Sequence, residues 1–200
     1  QQRESGALAA QPLAVQRATL DAVNADIAKN GVSPEREKRR NQIDAVVRAT
    51  QTEVAKDDVR AYLARAGGAE NIAPLSLDAG MQGLAPQLVA RRKLAEDVTA
   101  FTGKPSSGLL PEEVDTLRAF MEAQPAKQRA AIVAEMAGAL GPRPAQGLAA
   151  QLAPKDAALG LAFGYSGSKT TTGRLTSELI LAGRQAQKDG TSTKAVGSAP

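Results

Sequence analysis

Two hundred residues carrying 25 Lys and Arg against 21 Asp and Glu contain no His, no Cys and no Trp. That excludes imidazole general-base chemistry, thiol nucleophiles, and the Cys/His sets that hold zinc, haem or iron–sulfur clusters. Alanine supplies 40 residues, and Leu, Ile, Val and Phe together only another 40, so a thick aromatic core is excluded as well.

The spacing predicts a first helix from Pro12 to Lys29, with Leu13, Val15, Leu20, Val23 and Ile27 mostly on one side and Asn30-Gly31 as its stop. Ser33-Pro34-Glu35 is a start signal: an N-cap, a proline at the first helical position and an acid on the positive end of the dipole. From there the pattern runs unbroken to Arg65, with Ile43, Val47, Thr50 and Val54 as a narrow seam. Residues 1–66 therefore read as a long helical hairpin. Gly67, Gly68, Pro74, Gly80 and Gly83 punctuate residues 67–85, which read as a loop or linker and as the domain boundary. A helix is predicted from Pro86 to Phe101, stopped by Gly103. A bundle of shorter helices then fills 86–189: one from Pro111, one from Pro125 to Leu140, one from Pro144 to Ala153, one opened by Pro154-Lys155-Asp156, and a last from Thr172 to Lys188. In the last, Leu175, Leu179 and Ile180 are expected to face inward. Residues 190–200 read as a tail or linker. No hairpin turn between strands and no fixed-period repeat is visible, and the fold class is all-α.

Alanine helices bury little area and need neighbours, so part of the stability is expected from partner chains. No apolar run approaches 18 residues, nothing at the start resembles a signal peptide, and the absence of cysteine fits a reducing compartment. The chain opens on Gln1, as a piece of a longer polypeptide would.

Several segments imitate chemistry. Gly164-Tyr165-Ser166-Gly167-Ser168-Lys169-Thr170 has the letters of a phosphate loop but the wrong spacing, and a helix rather than a strand precedes it. Phe101-Thr102-Gly103-Lys104 is spoiled by Pro105 and reads as a helix stop. Glu4-Ser5-Gly6 is similar to the Glu-Ser start of lytic transglycosylases, whose lone Glu acts as acid and base. Gly80-Met81-Gln82-Gly83 has the companion element's letters in the wrong order, and five aromatics cannot line a glycan groove. The pairs Asp57-Asp58 and Glu112-Glu113 have no second carboxylate cluster to make a metal site. No catalytic, cofactor or metal residue is assigned. The basic runs are Arg36, Lys38, Arg39 and Arg40, then Arg91, Arg92 and Lys93. Consecutive helical residues point in three directions, so each run reads as a partner face or a weak, non-specific DNA contact.

Four stretches carry a resemblance: Leu109-Leu110-Pro111-Glu112-Glu113, Gln124-Pro125-Ala126-Lys127-Gln128-Arg129, Leu152-Ala153-Pro154-Lys155-Asp156, and Thr170-Thr171-Thr172-Gly173-Arg174 through Ser177-Glu178-Leu179 to Gly183. With the helix holding Arg91-Arg92-Lys93 before Phe101-Thr102-Gly103, they resemble the large internal virion proteins, or ejection proteins, of short-tailed bacteriophages across about residues 86–190. The resemblance implies a structural, non-enzymatic part packaged inside the capsid near the portal or tail and expelled into the host envelope with the genome. Other copies of the chain and other virion proteins (portal, tail or core) would be its partners, with no cofactor and no small-molecule substrate. Such polypeptides often carry a lytic transglycosylase module elsewhere. Two other readings stand beside it: a fragment of a peptidoglycan-cleaving enzyme, and a helical scaffold or nucleic-acid-associated protein.

Overall fold

The computed structural model describes residues 2–66, 72–167 and 171–188. Among them the fold is all-α, as the sequence predicts, with ten helices and no strand. They are α1 (Gln2–Ala9), α2 (Leu13–Asn30), α3 (Pro34–Lys56), α4 (Asp58–Ala66), α5 (Gly80–Thr102), α6 (Pro111–Ala123), α7 (Ala126–Leu140), α8 (Pro142–Leu152), α9 (Ala157–Ser166) and α10 (Thr171–Lys188). The glycines at 67 and 68, Lys169, Thr170 and the stretch 190–200 lie outside the described residues. The chain divides into two compact units, Gln1–Ala73 with Leu94–Ser106, and Pro74–Lys93 with Ser107–Pro200. The expected boundary in 67–85 is thus only part of the division. The other crossing lies inside α5, where no glycine or proline marks it.

In the first unit, Gly31 ends α2 at φ 79°, a conformation a side chain resists, and its N–H bonds the Ile27 carbonyl. Ser33 caps α3, its hydroxyl accepting from the Arg36 N–H at 3.3 Å, and Pro34 takes the first helical position. Of the seam, Ile43, Val47 and Thr50 are buried and Val54 is half-buried, and the first two share a small cluster with Val23 of α2. The single long helix expected from Ser33 to Arg65 breaks at Asp57, which is extended at φ −158° and ψ 99°. The Asp57 carboxylate accepts from the Arg60 N–H at 2.9 Å and so caps α4, an alternative the side chain offers the backbone wherever it can reach. Beyond the break, Val59 and Ala61 of α4 are buried, and the Tyr62 ring meets Phe101 edge to face at 5.8 Å.

The second unit is closed by a leucine-rich core. Leu84, Leu88, Leu109, Leu117, Met121, Met136, Leu140, Leu148, Leu152, Leu159 and Phe163 are all essentially inaccessible. Each contributes about 1.5–3 kcal/mol of transfer free energy against an exposed position. The helix expected from Pro86 starts six residues earlier, at Gly80, and Pro86 lies inside it. Leu84 and Leu88 form one buried stripe across the proline, and packing of that stripe outweighs the lost hydrogen bond. Gln87 supports the same turn: its amide nitrogen donates to the Gly83 and Ser76 carbonyls, both at 2.9 Å, and its oxygen accepts from the Ser76 N–H at 2.8 Å. Gly160 has a different task. A Cβ there would sit 2.9 Å from the Ala149 carbonyl oxygen and the Ala153 nitrogen, so α8 and α9 approach with no room for a side chain. In α10 two of the three residues expected inward face out, and the third, Ile180, is half-buried. Leu175 and Leu179 are 50% and 74% exposed, while Gly173, Ser177 and Leu181 face the core at four-residue spacing.

Candidate interaction surface

The seven basic residues singled out in the sequence separate into two groups. Arg36 holds α2 to α3. Its Nε pairs with Asp26 at 3.1 Å, and one terminal nitrogen donates to the Asn30 and Gly31 carbonyls at 3.0 and 3.1 Å. It therefore meets the negative end of the α2 dipole, where a cation is favoured. Lys38, Arg39 and Arg40 are exposed and make no ion pair among the described residues. Lys93 is exposed too.

Arg91 and Arg92 depart from their expected place on a contact face. Arg91 is 6% exposed, and its guanidinium meets the Glu113 carboxylate at 2.5 Å. Burial pulls the Arg91 pKa below its usual range, opposed by the charge of Glu113. Glu113 also accepts from the Leu75 N–H at 3.3 Å and, through its other oxygen, from the Leu110 N–H at 2.9 Å. One carboxylate thus ties α5, the segment before it and the first turn of α6. Arg92 donates to the Ala139 and Gly138 carbonyls at 2.5 and 2.8 Å, which caps the C-terminal turn of α7. The reason the sequence misleads here is the helical period: Arg91 lies three residues after Leu88 and four before Ala95, both fully buried, so it falls on the inward stripe.

A second ionic cluster was not foreseen. The Asp156 side chain caps α9, accepting from the Leu159 N–H at 3.1 Å, and its other oxygen pairs with Arg184 of α10. Arg184 also reaches Glu122 of α6 at 3.1 Å, and Arg118 and Lys188 lie 3.6 and 3.7 Å from the same carboxylate. Burial raises the Glu122 pKa, but Lys188, Arg118 and Arg184 together outweigh it and hold the carboxyl below its usual value. Arg129 adds bonds to the Gln124 and Glu122 carbonyls, both at 3.0 Å, and to the Gln185 side chain at 2.9 Å. The only advance signal was Asp156 at a helix start. The pairing spans 28 to 62 residues of sequence, beyond any local pattern.

In the first unit, Asp58 bonds Ser106. Burial raises its pKa above 3.8 and the Asp57 charge adds to that, while the Ser106 hydroxyl and the Val59 N–H oppose it. Glu4 and Ser5 fall within α1, and Gly80-Met81-Gln82-Gly83 forms the first turn of α5. Among the described residues no group of three His, Cys, Asp or Glu side chains is placed to hold a metal ion, and no helix is long and apolar enough to cross a membrane. No family model, curated protein or solved structure matches this chain.

Proposed function

We propose that this chain is a structural part of the internal ejection apparatus of a short-tailed bacteriophage, packed against other virion proteins and expelled into the host envelope with the genome. The observation that supports the reading is the place of the resembling stretches. They supply Glu113, the partner of buried Arg91, then Arg129 over the end of α6, then Asp156, which caps α9 and holds Arg184. Residues in the resembling stretches are therefore among those that join the helices of the second unit, together with Glu122 and Arg184 outside them. Arg91, Glu113, Arg92, Arg129, Asp156 and Arg184 of that unit are spent on joining helices, which suits a scaffold; the reading assigns this chain no catalytic residue. Its outward contacts fall to Lys38, Arg39, Arg40 and Lys93, all exposed.

Cross-linking of intact particles with an amine-reactive reagent tests it. Links from Lys38 or Lys93 to a second copy or to portal, tail or core protein are expected. Links confined to this chain, in particles shown to contain it, would contradict the docking role.

A further inference from the structure

We infer that the chain opens in two stages: the α2–α3 pair comes apart as a unit of its own while the leucine core around Arg91 and Glu113 stays closed. The argument is one of what each part buries. Along Leu13–Asn30 and Pro34–Lys56 the shared apolar cluster is Val23, Ile43 and Val47, backed by half-buried Leu8, Leu20 and Ile27. Two buried polar atoms in the pair, Gln16 Oε1 and Thr50 Oγ1, have no hydrogen-bond partner among the described residues, so closing the pair costs their hydration. The ion pairs along it, Arg36 with Asp26 and Arg48 with Asp44, are solvent-facing and contribute little.

The second unit also buries polar atoms that lack a bond among the described residues, Ser166 Oγ and Ser177 Oγ being two, but it sets them in a far larger apolar core. Among the described residues its core counts seventeen buried residues, from Leu84 to Leu181. Its central ion pair, Arg91 with Glu113, is 7% and 6% exposed, and breaking it would strand a charge. Regions with few buried apolar contacts open at lower free energy than the core, and α2–α3 meets that description. Thr50 is then the residue that keeps the pair easy to open, since an apolar side chain of its shape would remove the penalty, whereas the Gln16 amide nitrogen also donates to the Ala9 and Gln11 carbonyls. The inference stands on burial and polar pairing and holds whether or not the chain belongs to a virion.

Native-state hydrogen exchange on the full chain, followed as denaturant is added, tests it. Amides in the middle of α2 and α3 should show about 100-fold lower protection, and a smaller denaturant dependence, than amides of α6 and α8. Val47→Ala should lower protection in α2 and α3 by a further tenfold or so and leave α6 and α8 unchanged. Complete loss of protection in α2 and α3 with α6 and α8 intact supports the same conclusion. Thr50→Val should act in the opposite direction, raising protection in α2 and α3 alone. If the wild-type amides of both parts converge on one opening, or if Val47→Ala weakens both parts alike, the two-stage account is overturned.

Discussion

Glu113 is the residue on which most depends in the second unit. Glu113→Gln keeps the shape but leaves the Arg91 guanidinium buried without its counter-charge, and removing one partner of such a pair costs about 3–5 kcal/mol. Urea unfolding followed by circular dichroism should show that loss, whereas Lys93→Gln, at an exposed position, should stay within about 0.5 kcal/mol. Two carboxylates should respond to pH in opposite senses. Glu122 has a folded pKa below its ordinary 4.5, so its contribution is present above that value and is lost as pH falls through the depressed one. Asp58 has a folded pKa above 3.8, so its ionisation opposes folding once pH rises through the raised value. Glu122→Gln should therefore be less stable than wild type at pH 7, and Asp58→Asn more stable. The Asp58 difference should close as the pH is brought below 3.8, and the Glu122 difference as it is brought below that group's depressed value. None of these partners was legible in the sequence, because Arg91 with Glu113 and Arg184 with Asp156 are brought together only by tertiary packing.

At the scale of the helices, local chemistry was readable where it was self-contained. Ser33-Pro34, Gly31, Pro111 and Asp156 mark helix ends that the structure shows within a residue or so, since each acts on its own backbone neighbours. It failed where a side chain had two options. Asp57 could sit in a helix or cap the next one, and it caps; Pro86 could open a helix or be carried inside one, and the Leu84–Leu88 stripe carries it. Removing the cap by Asp57→Ala should cost about 1 kcal/mol and weaken α4 first, measurable as faster amide exchange at its start. In α10 the mistake was one of phase: Leu175 and Leu179 carry the bulk, but Gly173, Ser177 and Leu181 carry the contact. Leu181→Ala should thus cost about 2–5 kcal/mol and Leu179→Gln no more than about 0.5 kcal/mol in the isolated chain.

For the molecule as a whole, the all-α class followed from composition: abundant alanine, few aromatics and no strand pattern leave only helices. The division into two units did not follow, because α5 runs through Lys93 and Leu94 with no break in its pattern. The basic runs pointed outward in the sequence, yet Arg91 and Arg92 are spent inside the second unit, while Lys38, Arg39, Arg40 and Lys93 are exposed. Under the proposed function such a chain acts by what it is docked to, with Arg91, Glu113, Asp156 and Arg184 as joints between its helices. Quantitative mass spectrometry of purified particles of a short-tailed phage whose genome carries this reading frame, before and after triggered genome release, tests that proposal most directly. The account predicts that the chain is present at several copies in full particles and depleted from emptied ones. Its absence from full particles would contradict the account.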